Sequence, residues 1–188
     1  PTSIAVAAGE ATKVRADATY LVTGGLGGLG LVVARWLVDE GAGAVVLIGR
    51  RGATSAAQAE ALAAMRERGA VVRVVEADVA DRAALARVLD DVAASGRPLR
   101  GIVHAAGVLE DGVLARLDRA ALGRVMAPKA QGAWNLHVAT REPGPTPLDF
   151  MVLYASAVGV LGAPGQAAYA AANAFLDALA QRRRAQGL

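Results

Sequence analysis

The chain contains no cysteine, which excludes disulfides and thiolate metal sites from the outset. It also lacks any apolar run approaching the ~20 residues of a membrane span. Apolar residues make up 54% of the sequence, yet the longest runs are only strand-length. No signal-peptide pattern is present. The chain opens on Pro1 instead of Met, which reads as a piece of a longer polypeptide. Net charge is small, at +3, and gives no argument for a nucleic-acid partner. One basic cluster, Arg182-Arg183-Arg184, closes the last expected helix. Cations suit that end of the dipole, so the cluster reads as a solvated helix end and not a nucleic-acid patch. Lysine is the last scarcity. Of the 20 basic residues, 18 are Arg, and the two lysines are Lys13 and Lys129. Such Arg- and Ala-heavy usage is that of a GC-rich bacterial genome. A lysine at 129 then reads as chosen for its compact ammonium, which Arg does not mimic, with chance placement on a helix surface as the alternative.

What is present is an alternation of strand and helix. Strands are expected at 19–23, 44–48, 71–76, 100–104 and 148–154. Helices are expected at 28–40, 54–68, 81–95, 118–140 and 166–185. The strand runs are too uniformly apolar for a half-exposed sheet, which indicates a parallel sheet covered on both faces. Right-handed crossovers give an α/β, doubly wound order of 3-2-1-4-5. A length of 188 residues suits one domain with a substantial core. Residues 1–17 read as an incoming linker and 18–188 as the domain. Glu142-Pro143-Gly144-Pro145-Thr146-Pro147 reads as a surface loop.

Two places in this frame point to a dinucleotide. The strand Thr19–Thr23 runs into Gly24-Gly25-Leu26-Gly27-Gly28-Leu29-Gly30, and a helix follows. A Gly-rich turn between strand and helix lets a pyrophosphate approach the backbone and meet the helix N-terminus. The alternative is a tight turn without ligand. After the second strand come Arg50 and Arg51, with no acid beside them. In such folds an acid here holds a ribose 2′-hydroxyl, whereas Arg accommodates a 2′-phosphate. That favours NADPH over NADH, the alternative being a solvated basic turn.

The chemistry is carried near the other end. Met151 to Tyr154 is a short strand, and Gly159, Gly162, Pro164 and Gly165 make a loop after it. Ser156 therefore sits past a strand end. Tyr169, thirteen residues on, falls in the first turns of the last helix, and Asn173 lies one turn further on the same face. A hydroxyl pair delivered by a strand end and a helix grips one carbonyl oxygen and polarises a ketone.

Taken together, these residues resemble the short-chain dehydrogenase/reductase superfamily. Thr23-Gly24, Gly28 and Gly30 fit its cofactor loop. His104-Ala105-Ala106-Gly107 fits its second glycine motif, with His in place of the common Asn. Simple members have Lys four residues after the Tyr. Here that position is Asn173, and Lys stands at Lys129, in Met126-Ala127-Pro128-Lys129-Ala130-Gln131-Gly132. This exchange resembles the ketoreductase domains of modular polyketide synthases and of animal-type fatty acid synthases. The resemblance covers 19–188. It leads one to expect a sixth strand, a lid and a seventh strand beyond Leu188, so that the chain reads as a catalytic core truncated after the Tyr-bearing helix.

The resemblance implies a β-ketoacyl thioester on the phosphopantetheine arm of an acyl carrier protein, with the other domains of one synthase as partners and the cytoplasm as location. Tyr169 would be the acid, Ser156 a second donor, and Asn173 part of the proton relay. A free Tyr titrates near pH ~10. Lys129 would supply the ammonium that stabilises a phenolate. The cofactor set would be Thr23, Gly24, Leu26, Gly27, Gly28, Leu29, Gly30, Arg50, Arg51, Asp78, Val79, His104, Ala105, Ala106 and Gly107. Asp78 is equally read as a helix-entry acid ahead of Asp81. Val108-Leu109-Glu110-Asp111-Gly112 resembles the Leu-Asp-Asp motif of ketoreductases that make D-configured alcohols (B type). The opposite class has Trp eight residues before the Tyr, where this chain has Leu161. Leu109, Asp111, Leu161 and Pro164 are thus the stereocontrol candidates, and a plain polar loop at 110–111 is the alternative. No metal ligand set is expected. Three rival functions stand beside this one: a free-standing carbonyl reductase, a non-catalytic bracing domain, and an epimerase-like domain.

Overall fold

The computed structural model describes residues 14–141 and 147–188. Most of the expected linker, and most of the 142–147 loop, lie outside the described residues. The centre of the molecule is β1 (Thr19–Thr23), buried along its full length. β2 (Ala44–Gly49) and β4 (Leu99–His104) flank it, and both pair with it in parallel. β3 (Val71–Glu76) extends one side and β5 (Phe150–Leu153) the other, which gives the order β3-β2-β1-β4-β5. That order and the strand positions follow the sequence expectation, with β5 trimmed at both ends.

Strand alternation sends side chains to two helical layers. On one face Tyr20, Val22, Val45 and Leu47 pack against Leu37 of α1 (Gly28–Asp39) and Met65 of α2 (Ala56–Glu67). On the other, Leu21, Val46, Ile48 and Ile102 meet Leu85, Val88 and Val92 of α3 (Arg82–Ala94) and Leu136 of α5 (Gly132–Thr140). Burial of these apolar side chains on both faces is the main favourable contribution to the fold. Gly101 is needed in β4, because a Cβ there would overlap the Phe150 ring. Phe150 stacks on Tyr20 with centroids 5.8 Å apart.

The sheet register brings four residues level at the carboxyl edge. Ile48 pairs with Thr23, Thr23 with His104, and His104 with Leu153. The chain leaves β1 toward one side and returns through β4 on the other. A crevice outside the strand ends at that switch is the expected ligand site of such sheets.

Three segments depart from expectation. The helix expected at 118–140 is two, α4 (Arg119–Met126) and α5, joined by a π turn over Ala127–Gln131. Pro128 lacks an N–H, so the ordinary ladder breaks there. The loop after β5 contains one helical turn, α6 (Val158–Leu161), before α7 (Ala167–Ala185). Finally, Arg183 is not solvated. It is 6% exposed, and its Nη1 lies 3.1 Å from Nδ1 of His137 and 3.4 Å from Oγ1 of Thr140. Its place on α7 turns it toward the C-terminal end of α5, where a cation suits the dipole. Arg182 stays outside, over the Trp134 ring.

Candidate active site

The Gly-rich loop is shaped by contacts that exclude side chains. Gly24 has φ +66°, and a Cβ there would lie 2.8 Å from the Ala105 carbonyl oxygen. A Cβ on Gly30 would overlap the Gly24 carbonyl, and one on Gly25 would come within 2.7 Å of Leu47. A Cβ on Gly28 would meet nothing within 4 Å. No side chain caps α1 at Gly27, and no acid stands in its first turn. An anion arriving there meets open N–H groups and no like charge. Beside the loop is a groove of about 360 Å³. Thr23, Gly24, Leu26 and Gly27 form one wall, and Ala105, Ala106 and Gly107 another. Arg50, Arg51, Asp78 and Val79 close the far end. Gly28 and Leu29 lie at the exposed rim outside this lining, and Gly30 is buried beneath the loop. Asp78 is not the cap of α3. Asp81 accepts from the N–H groups of Ala83 and Ala84, while Asp78 accepts from Ala80 N–H in a tight turn.

His104 is 1% exposed and does not line the groove. Its Nε2 lies 3.1 Å from the Lys129 carbonyl oxygen, and its Nδ1 lies 2.7 Å from Thr23 Oγ1. A carbonyl only accepts, so Nε2 carries the proton and Nδ1 accepts from the Thr23 hydroxyl. The Ala106 N–H donates to that same hydroxyl at 3.3 Å. Burial pushes the imidazole pKa down to about 4. The ring of His104 thus lies in the interior, where it links both glycine motifs to the π turn.

That π turn aims Lys129 inward. Its Nζ donates to the Tyr154 carbonyl at 2.8 Å and to Asn173 Oδ1 at 3.1 Å. The same Nζ stands 5.3 Å from the centroid of the Tyr169 ring. Asn173 is fully buried, and its Nδ2 donates to the Tyr169 carbonyl at 2.7 Å. Lys129 is 6% exposed, and burial lowers its pKa from the ordinary lysine value. Gly107 makes room for it, since a Cβ there would stand 3.1 Å from Lys129 Cε. Tyr169 and Ser156 are half-buried, and Ser156 Oγ accepts from Val158 N–H at 3.3 Å. The structure therefore gathers Lys129, Asn173 and Tyr169 into one cluster, with Ser156 between β5 and α6 on the same strand-end side. This arrangement can donate a proton and stabilise the charge left behind.

The 109–112 loop is tied at both ends. Glu110 receives two bonds from Arg124 of α4, at 2.8 and 2.6 Å. Asp111 accepts from Gln166 Nε2 at 3.2 and 3.1 Å, and Gly112 N–H donates to Gly165 at 2.8 Å. Leu109 and Leu161 are exposed, at 64% and 82%, and Pro164 is also exposed.

The sequence profile of the KR domain matches residues 18–188. The chain belongs to the KR domain family. It is 51% identical over 175 residues to a phenolphthiocerol/phthiocerol polyketide synthase of Mycobacterium tuberculosis, a match spanning 93% of this chain and 9% of that protein. It is 46% identical over 180 residues to erythronolide synthase of Saccharopolyspora erythraea, spanning 95% of this chain and 5% of that protein. The ketoreductase from the first module of phoslactomycin biosynthesis in Streptomyces superposes with a TM-score of 0.84 at 44% identity, over 90% of this chain and 39% of that one. An A-type ketoreductase structure from a modular polyketide synthase gives 0.85 at 42%, over 91% and 35%. The fold is accordingly the short-chain dehydrogenase/reductase form of the Rossmann sheet.

Several residues of this KR domain escape sequence reasoning. Gln58 caps α2 in a capping box with Ser55 and also donates to the Leu26 carbonyl at 2.9 Å, bracing the cofactor loop. The Ser-x-x-Gln spacing was the available signal. Pro128, Val108 and Thr54 line the groove as well. Gln166 has no sequence signal, because its partner Asp111 is distant in the chain.

His104 sets a pH dependence. The unfolded chain protonates it near pH ~6.5, the folded domain only near pH 4. Between those values the unfolded state holds more protons, so stability falls as pH drops from ~6.5 toward ~4, by up to about 3 kcal/mol from this residue. Above ~6.5 its contribution is constant. Thermal unfolding from pH 4 to 7 should show a steeper acid loss for the parent chain than for His104→Gln. Parallel curves would contradict a neutral His104.

Proposed function

We propose that this chain reduces the ketone of a β-ketoacyl thioester with NADPH, giving a D-configured β-hydroxyacyl product on an acyl carrier protein within a polyketide synthase, and that it works in the cytoplasm beside the other domains of that synthase. The observation that carries the reading is the Lys129–Asn173–Tyr169 cluster at the strand ends, beside a glycine cradle that side chains would fill. The polyketide synthase relatives support the substrate class. No described helix is long and apolar enough to cross a membrane.

The residues fit a dinucleotide. The bare first turn of α1 with Gly24 and Gly27 would hold the pyrophosphate. Arg50 and Arg51 would face the 2′-phosphate, and Asp78 and Val79 would face the adenine. Hydride for the ketone carbon is what the cofactor supplies when bound. The Tyr169 phenol donates its proton to the oxygen on which charge develops, and the Ser156 hydroxyl donates a hydrogen bond to the same atom. Lys129 holds a positive charge beside the phenolate that remains, and it uses only two of its three donors on Tyr154 and Asn173. Asn173 fixes Lys129 by one end of its amide and the backbone of α7 by the other. Asp111 would set the side from which the acyl chain enters, and Leu161 leaves the opposite side without the Trp of the other class.

Tyr169→Phe should abolish reduction of a β-keto thioester while leaving NADPH affinity within a few-fold, and Ser156→Ala should slow it by ~10²-fold. Turnover near that of the parent in the Phe variant would remove Tyr169 as the acid. Replacing Arg50 and Arg51 by Ala should weaken NADPH far more than NADH in fluorescence titrations, since only the former loses charged partners. Equal losses would leave the pair as a solvated turn. Chiral chromatography of the reduced thioester should give the D-alcohol as main product; an L-alcohol would reverse the assignment of Asp111.

A further inference from the structure

We infer that His104 is a positioning residue for Lys129: its imidazole anchors the π turn so that the ammonium reaches Tyr154 and Asn173. This rests on the catalytic reading of Lys129 given above.

The need for an anchor comes from the turn itself. Pro128 has no N–H, so the helix loses a rung just before Lys129. The π turn recovers part of it, with Gly132 N–H bonding back to the Ala127 and Lys129 carbonyls. Two lone pairs sit on the Lys129 carbonyl, and His104 Nε2–H takes a place there at 3.1 Å. The imidazole cannot swing freely, because Thr23 Oγ1 pins its other nitrogen at 2.7 Å. Thr23 is held in turn by the Ala106 N–H. The bonds run one way, from Ala106 N–H through the Thr23 hydroxyl and the His104 ring to the Lys129 carbonyl, and each donor has one acceptor. Thr23 and His104 are register partners across β1 and β4, so the chain of bonds crosses between two central strands of the sheet.

Two glycines make room for the ring and the lysine stem. A Cβ on Gly132 would lie 3.2 Å from His104 Cε1, and a Cβ on Gly107 would lie 3.1 Å from Lys129 Cε. Among the described residues no carboxylate pairs with Lys129; its partners are a carbonyl and an amide oxygen. Such dipoles hold an ammonium only if the backbone beneath it is placed well, since the interaction falls off quickly with misalignment. His104 supplies that placement. The neutral ring is essential to it, because an imidazolium would direct a second N–H at Thr23 and turn its hydroxyl away.

The chain's two lysines make the test direct. His104→Asn keeps an amide where Nδ1 stood, facing Thr23, and removes the side-chain donor to the Lys129 carbonyl, leaving only the Gly132 N–H there. His104→Gln reaches the Nε2 position and keeps the donor. In the ligand-free protein labelled with ¹⁵N-lysine, the Lys129 side-chain signal should shift in His104→Asn and stay in place in His104→Gln, while the Lys13 signal stays in place in both. With NADPH and a β-keto thioester, kcat should fall on the order of 10- to 100-fold in the Asn variant, with KM for NADPH within a few-fold. In a Lys129→Met background the Asn substitution should add less than about 2-fold, since both changes act through one group. An unmoved Lys129 signal in His104→Asn, or a full additional loss in the Lys129→Met background, overturns the inference. If Lys129→Met by itself leaves kcat unchanged, the catalytic reading of the lysine fails instead, and the lysine signal still decides whether His104 positions it. Should His104→Asn not fold, Thr23→Val unpins Nδ1 and should move the Lys129 signal in the same way; a still signal there counts against the inference equally.

Discussion

A buried ammonium that meets no carboxylate among the described residues is the constraint around which this domain is arranged. Taking Lys129 out of water costs several kcal/mol unless polar groups replace the solvent. The replacement is two oxygens on two different elements, the Tyr154 carbonyl past β5 and the Asn173 amide on α7. Both must be in place before the lysine can sit. The π turn in turn must point it there, Gly107 must stay small beside it, and Gly132 must stay small beside Val79 and the His104 ring. Even the packing of α6 on α7 answers to this point. A Cβ on Gly159 would stand 3.1 Å from that of Asn173, so glycine lets the short helix close over the residue that holds the ammonium.

The second half of the site is built on the opposite charge logic. The cofactor loop presents backbone N–H groups and no acidic or capping side chain, and Arg50 and Arg51 stand exposed at the groove's end. In the proposed function one side of the sheet edge would meet a phosphate-bearing ligand and the other a developing oxyanion. The two halves share Thr23. Its backbone carbonyl accepts from Ala105 N–H, and its hydroxyl reaches the His104 ring. Under the proposed function, a ligand on the glycine loop and a proton donor on α7 would thus be referred to the same few rungs of β1 and β4.

Much of this was legible in the sequence because the central strands are buried, β1 along its full length and β2 nearly so. Runs such as Ala44–Ile48 and Gly101–Val103 are apolar throughout, so the strands and their order followed directly. Tyr169, Ser156 and Asn173 stood out by their spacing and Lys129 by the resemblance and the scarcity of lysine, and the fold brings Lys129, Asn173 and Tyr169 together. The interior devices were not. Helical periodicity survives a π turn, and Pro128 was the one mark that the 118–140 helix breaks. The Gly- and Pro-rich stretch after β5 conceals α6, whose single turn is held by packing on α7 and not by propensity. Arg183 reads as a solvated helix end, and only the position of α7 against α5 shows that it turns inward to His137. The resemblance puts His104 among the cofactor residues; the register that sets it level with Thr23, with its ring on the Lys129 carbonyl, exists only in the folded sheet.

The most direct test of the proposed chemistry follows the hydride. The chain is supplied with NADPH deuterated on the transferable position and with a β-keto thioester, and the product is examined by mass spectrometry and NMR. The arrangement of Tyr169, Ser156 and Lys129 beside the glycine loop predicts one deuterium, on the carbon that bears the new hydroxyl. Bound NADPH that is never consumed, or deuterium absent from that carbon while the α-carbon exchanges its proton with solvent, would contradict it.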